Sequence, residues 1–164
     1  MEDLEFMDQA LELARQAAAA GEVPVGCVIV RNGEIVGRGR NRREAGKNAL
    51  CHAELEAINE ACKTLGGWRL WECTLYVTLE PCPMCAGAIV NARIPRVVYG
   101  AGDPKCGAVR SRCALFDMGF NHRPQVEAGV REEECGVLLT EFFRNLRVEL
   151  KSRPKWRKKP TEET

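Results

Sequence analysis

The chain has 164 residues, 45% of them apolar and 29% charged, and a formal net charge of +1. That composition is ordinary for a globular protein with a real core, and no apolar run approaches membrane-spanning length. Nine cysteines without a basic, cleavable N-terminal segment argue against a secreted disulfide framework and for a reduced, cytoplasmic protein.

In chain order, Leu4, Met7, Leu11, Ala14 and Ala18 recur at helical spacing, and Gly21 closes that segment. Val25 to Val30 is a nearly unbroken β-branched run, followed by Asn32-Gly33 and a second strand from Glu34 to Gly39. Asn-Gly between two such runs is a strong hairpin signal. Asn41 to Ala49 is polar and reads as a surface loop. Ala53, Ala57, Ile58 and Ala61 form a helix face that opens at His52 and stops near Gly66-Gly67.

Thr74 to Leu79 reads as a strong strand, and Cys82 to Ala92 as the helix after it. Pro95 to Tyr99 is the next strand, so the pair separated by that helix should run parallel. A loop-rich stretch from Ala101 to Asn121 holds one short helix near Ala114. Gln125 to Ala128 is a short strand. Glu132 to Lys151 is a long helix with Val137, Leu138, Phe142, Leu146 and Leu150 near one face. The elements predict an α/β sandwich around a mixed sheet of about five strands. Charge is concentrated at the end of the chain, where Arg144, Arg147, Lys151, Arg153, Lys155, Arg157, Lys158 and Lys159 outnumber Glu149, Glu162 and Glu163. Such a run suggests a polyanionic partner, nucleic acid ahead of membrane; the competing reading is a solvated terminus.

Chemistry concentrates in His52-Ala53-Glu54 and Pro81-Cys82-Pro83-Met84-Cys85. One imidazole and two thiolates leave an open fourth position on a zinc ion, the arrangement of catalytic rather than structural zinc. Both ligand sets fall at helix N-termini, where exposed N–H groups and the helix dipole favour thiolate over thiol. Zinc lowers the pKa of bound water from ~15.7 towards ~7, and Glu54 is placed to carry its proton. Three other readings compete. Cys82 and Cys85 suit a redox pair, which leaves His52 and Glu54 unused. A closed structural zinc site needs a fourth ligand such as Cys51 or Cys106. Cys51 beside His52 suggests a nucleophilic dyad, although such dyads are set by spatial geometry and not adjacency. His122 stands alone in a polar loop and reads as ordinary surface or an RNA-facing group.

The H-x-E…P-C-x-x-C pattern is the known signature of zinc nucleobase deaminases, and the chain resembles the cytidine/deoxycytidylate deaminase superfamily. Within it, Glu22 to Gly26, Asn41-Arg42, Thr78 to Ala88, Arg93 to Ala101, Asp103 to Gly107, Asn121 to Arg123 and Glu141 to Arg144 resemble the bacterial tRNA adenosine deaminase family. The resemblance runs from about Leu4 to Lys151. It implies a three-layer α/β/α fold, one zinc ion per subunit on His52, Cys82 and Cys85, and Glu54 as proton shuttle. It implies deamination of a tRNA wobble adenosine to inosine by a homodimer acting on a flipped base. Asn41 and Ala53 would meet the purine. Asp103, Lys105, Asn121, Phe142, Phe143, Arg144 and Arg147 would lie near the anticodon stem-loop. Residues 1–151 would form one zinc-dependent deaminase domain and 152–164 a basic, flexible tail. Three segments depart from the family pattern: Asn48 to Cys51, Arg110 to Cys113, and the tail from Pro154 to Thr164. A deaminase of free guanine or cytosine compounds on the same fold is the enzymatic rival. A non-catalytic RNA-binding subunit is the rival of another class, which the presence of Glu54 disfavours.

Overall fold

The computed structural model describes residues 2–152. Its elements are α1 (Glu2–Ala19), β1 (Gly26–Arg31), β2 (Glu34–Arg40), α2 (Ala53–Leu65), β3 (Cys73–Leu79), α3 (Pro83–Ala92), β4 (Arg96–Ala101), β5 (Gln125–Ala128) and α4 (Glu132–Ser152). A 3₁₀ turn covers Leu115–Asp117. One five-stranded sheet in the order β2-β1-β3-β4-β5 unites them. β1 is antiparallel to both β2 and β3, while β3, β4 and β5 run parallel. The parallel β3–α3–β4 crossover and the short β5 agree with the sequence reading.

Local chemistry explains the turns. Asn32 and Gly33 both take positive φ, 51° and 76°, the backbone that a two-residue hairpin loop with the strands' own twist requires. α2 ends on Gly66 at φ 72°, whose N–H bonds the Cys62 carbonyl, a left-handed cap that costs glycine little.

Strand alternation sorts the core into two faces. Cys27, Ile29, Leu75, Val77 and Val97 pack with Ala53, Ala57, Ala61, Ile89 and other residues of α2 and α3. Val28, Val30, Tyr76 and Val98 pack with Met7, Ala10 and Leu11 of α1 and Cys135 of α4. The result is the three-layer α/β/α sandwich expected. α2 lies directly on β2, where a Cβ at Gly37 or Gly39 would overlap the carbonyl oxygens of Ala57 and Ala53.

Two helices differ from their sequence-level patterns. In α1 the buried stripe is Met7, Ala10, Leu11, Ala14 and Ala17; Leu4 is 43% exposed, so the face is rotated from the expected one. Three of those five residues are alanines, which are easily overlooked beside Leu4. In α4 only Cys135 is buried, seated against Gly100 of β4, with Leu138 partly packed behind it. Val137 and Leu150 are exposed, because the helix leaves the sheet after its first turns. The expected tail, 152–164, lies outside the described residues except for Ser152, which ends α4.

Candidate active site

β3 delivers Glu80, Pro81 and Cys82 to the end of the sheet, and α3 starts there with Cys82 as its N-cap and Pro83 in the first turn. α2 starts beside it with His52 as N-cap. Neither N-cap side chain caps its own helix, so both are free to face each other. The Sγ atoms of Cys82 and Cys85 each stand 3.6 Å from His52 Nδ1. All three donor atoms lie within 4.8 Å of one another.

These distances suit a tetrahedral metal centre. Metal–sulfur bonds of about 2.3 Å and metal–nitrogen bonds of about 2.0–2.1 Å place N and S about 3.5–3.6 Å apart. No other group of three or more His, Cys, Asp or Glu side chains converges in this way among the described residues. Cys51 and Cys106, the suggested fourth ligands, do not join it. The set is therefore three donors with room for a fourth, non-protein ligand.

The electrostatics fit as well. The thiol of Cys85 donates towards Cys82, which with the His52 contact pulls the Cys82 thiol down to about 4 against the cost of burial. The same hydrogen bond and burial push Cys85 up. The bond to Cys82 raises the His52 imidazole above its ordinary value. Glu54 occupies the first turn of α2 and is 4% exposed. Burial pushes its carboxyl up, partly opposed by hydrogen bonds that include the Cys85 side chain. A carboxyl raised in this way stands closer to neutral pH, where proton transfer in both directions is efficient.

The remaining sequence-derived residues lie outside this donor cluster. Asn41 is buried at the end of β2; its Nδ2 donates to the Val23 carbonyl and its Oδ1 accepts from the Arg43 N–H. Ala53 is fully buried as the first residue of α2. Asp103 is half-buried and caps its own loop by accepting from the Lys105 and Cys106 N–H groups. Lys105 and Asn121 are exposed. Phe142 and Phe143 form an edge-to-face pair with centroids 5.5 Å apart on α4, and Arg144 and Arg147 lie exposed on the same helix. His122 is not free surface: its Nε2 lies 2.7 Å from the Ile94 carbonyl and pins its loop to the start of β4. A cavity of about 550 Å³ borders the 103–111 loop at Val109 and Arg110 and runs to Arg123 and Val126. None of the three donors lines it, and neither does Glu54.

The sequence reading missed two acidic residues. Glu22 and Glu80 are 3% and 2% exposed, the only buried charged side chains besides Glu54 among the described residues. Each precedes an apolar or proline-containing framework segment, Val23-Pro24-Val25 or Pro81-Cys82. Nothing in side-chain identity marks either residue, because their partners are chiefly backbone N–H groups of distant loops.

An α/β/α sandwich with a His/Cys/Cys cluster and a buried glutamate at one end of its sheet defines a hydrolytic deaminase, and the MafB19-like deaminase family profile matches residues 1–147. The tRNA-specific adenosine deaminase of Bacillus subtilis (strain 168) is 51% identical over 148 residues, covering 90% of this chain and 92% of that protein. A solved structure from work on A-to-I editing by tRNA:A34 deaminases at the wobble position superposes with a TM-score of 0.80 at 46% identity, covering 82% of this chain and 99% of that one. Guanine deaminase from Bacillus subtilis superposes less well, with a TM-score of 0.60 at 34% identity, covering 86% of this chain and 92% of that one. The chain belongs to the tRNA-specific adenosine deaminase family.

Proposed function

We propose that this protein hydrolyses the wobble adenosine of a tRNA anticodon to inosine and releases ammonia. The observation that carries the reading is the His52–Cys82–Cys85 triangle with buried Glu54 beside it, in a chain half identical to a tRNA-specific adenosine deaminase. His52, Cys82 and Cys85 would hold one zinc ion per subunit. When bound, zinc supplies the Lewis acidity that makes water a nucleophile near neutral pH.

The chain's own groups account for the proton traffic. Glu54 takes a proton from the attacking water and passes it to the purine ring nitrogen. As the C6–N bond breaks, Glu54 protonates the departing amine, and the water oxygen remains on C6. Asn41, with one Nδ2 hydrogen already given to Val23, has a second to offer a purine acceptor. The backbone of Ala53, at the start of α2, meets the base beside it. Asp103, Lys105, Asn121, Phe142, Phe143, Arg144 and Arg147 face the anticodon loop, where unstacked bases and phosphates are the natural targets of aromatic and guanidinium groups. The enzyme works as a cytoplasmic homodimer, with residues 1–151 as its deaminase domain and 152–164 as a basic tail that adds phosphate contacts. No helix among the described residues is long and apolar enough to cross a membrane.

The guanine-deaminase likeness favours a second reading, a free-base deaminase, on fold alone; the higher similarity to the tRNA:A34 deaminase structure weighs against it. The deciding assay incubates zinc-loaded protein with an anticodon stem-loop carrying wobble adenosine, and in parallel with guanine and cytidine. Inosine in the RNA without small-molecule turnover is expected. Rapid guanine or cytidine deamination with untouched RNA would overturn the reading.

A further inference from the structure

The two buried glutamates outside the donor cluster point away from acid–base chemistry. Glu80 sits where β3 ends, two residues before Cys82, and its carboxylate is filled from one direction only. Oε1 accepts from the Asp103 N–H at 3.0 Å, and the Ser111 hydroxyl closes on the same oxygen. Oε2 accepts from the N–H groups of Val109, Arg110 and Ser111 at 3.1, 2.9 and 3.0 Å. A Cβ at Gly107 would land in the carboxylate itself, so the loop wraps Glu80 with no space between them. The 103–111 segment has no regular secondary structure to shape it; one carboxylate supplies the acceptors that a helix or sheet would otherwise provide. Glu22 does the same on a smaller scale, accepting from the Glu44 and Ala45 N–H groups at 2.9 and 3.0 Å and holding the loop that follows Asn41.

We propose that Glu80 is a positioning residue for substrate: its carboxylate sets the shape of the 103–111 loop and so places Asp103 and Lys105 for the anticodon. The proposal rests on the tRNA reading above. It also locates the departure at Arg110-Ser111. The backbone N–H of Arg110 and both donors of Ser111 are used by Glu80, so the loop keeps its anchor while the Arg110 side chain stays exposed.

The test compares Glu80→Gln, Gly107→Ala and Ser111→Ala with the wild-type protein. The amide of glutamine replaces one accepting oxygen with a donor and leaves converging N–H groups unpaired. Gly107→Ala disturbs the same contact from the loop side and keeps the carboxylate. Ser111→Ala removes one of the five bonds. The readouts are amide hydrogen exchange across residues 103–111, zinc content, binding of an anticodon stem-loop, and steady-state kinetics on it. Expected are faster exchange confined to that loop, unchanged zinc content, and stem-loop Kd and KM raised roughly tenfold for Glu80→Gln and Gly107→Ala. Changes in kcat should stay within about threefold, and Ser111→Ala should fall between these variants and wild type. A merely structural role would lower thermal stability without this split between KM and kcat. The proposal is overturned if exchange in the loop is unchanged, or if it quickens while stem-loop binding and KM stay at wild-type values. If Glu80→Gln does not fold, Gly107→Ala and Ser111→Ala decide by the same criteria. Should the wild-type protein fail to bind or deaminate the stem-loop, the tRNA reading falls, while the exchange data still report whether Glu80 holds the loop.

Discussion

At the residue scale, three glutamates are buried for different reasons. Glu54 has a raised carboxyl and sits beside the thiols; Glu22 and Glu80 spend their oxygens on backbone N–H groups. Glu54→Gln should lower turnover of the stem-loop by at least ~10²-fold, the ordinary scale of general acid–base help, with zinc content by elemental analysis unchanged. His52→Ala or Cys82→Ala should lose the metal together with activity, as expected when one of three protein ligands is removed. Retention of stoichiometric zinc in either variant would displace that residue from the ligand set. The convergence of His52, Cys82 and Cys85, with Glu54 buried on the same helix turn, was legible from the sequence because residue types at that spacing suit a metal site. Glu22 and Glu80 were not. A carboxylate whose partners are the N–H groups of a loop some twenty to thirty residues away leaves no pattern in side-chain identity.

At the element scale, α1 and α2 are held in different ways. α1 is fastened by Asp3, whose two carboxylate oxygens receive the Arg96 guanidinium at 2.8 and 2.7 Å while the Tyr76 hydroxyl donates to one of them. The Arg96 hydrogen bonds bring the Asp3 carboxyl down to about 2 from an ordinary 3.8, against the cost of burial. A lowered folded-state pKa means stability that is fully present above about 4 and is lost as pH falls through about 2. Asp3→Asn should therefore narrow its stability deficit to wild type between those values, as read by urea unfolding across the acid range. Both side chains are about one-third exposed, so solvent screening limits the effect to about 1 kcal/mol. α2 is held instead by absence of side chain on β2. Gly39→Ala places a methyl group against the Ala53 carbonyl and the backbone of Ala57, and overpacking of this kind costs about 1–3 kcal/mol. Because Ala53 begins the turn that carries Glu54, activity should fall in step with the melting temperature. The hairpin, the parallel crossover and the helix starts at His52 and Cys82 were readable from turn chemistry and apolar runs. The faces of α1 and α4 were not, because periodicity reports which residues are apolar and not which of them another element covers.

At the scale of the whole molecule, the basic residues gather late in the sequence, beyond the acidic first turn of α4 at Glu132, Glu133 and Glu134. Truncation after Lys151 should weaken tRNA binding and reduce the slope of log K against log salt, since each phosphate contact contributes about 0.7–0.9 to that slope. An unchanged slope would return these residues to the role of a solvated terminus. The same region has a mechanical side. α4 is a 21-residue helix clamped to the sheet near one end, with Cys135 beneath it and Arg131 bonded to Asp8 of α1 just before it begins. From Phe143 onward most of its side chains face solvent. It behaves as a cantilever whose outer half draws rigidity from whatever it touches, because isolated helical turns are marginal in water. Amide exchange in free protein should quicken steadily from Cys135 towards Leu150, and a bound anticodon stem-loop should flatten that gradient from the far end. The RNA would then act as the missing abutment of the beam.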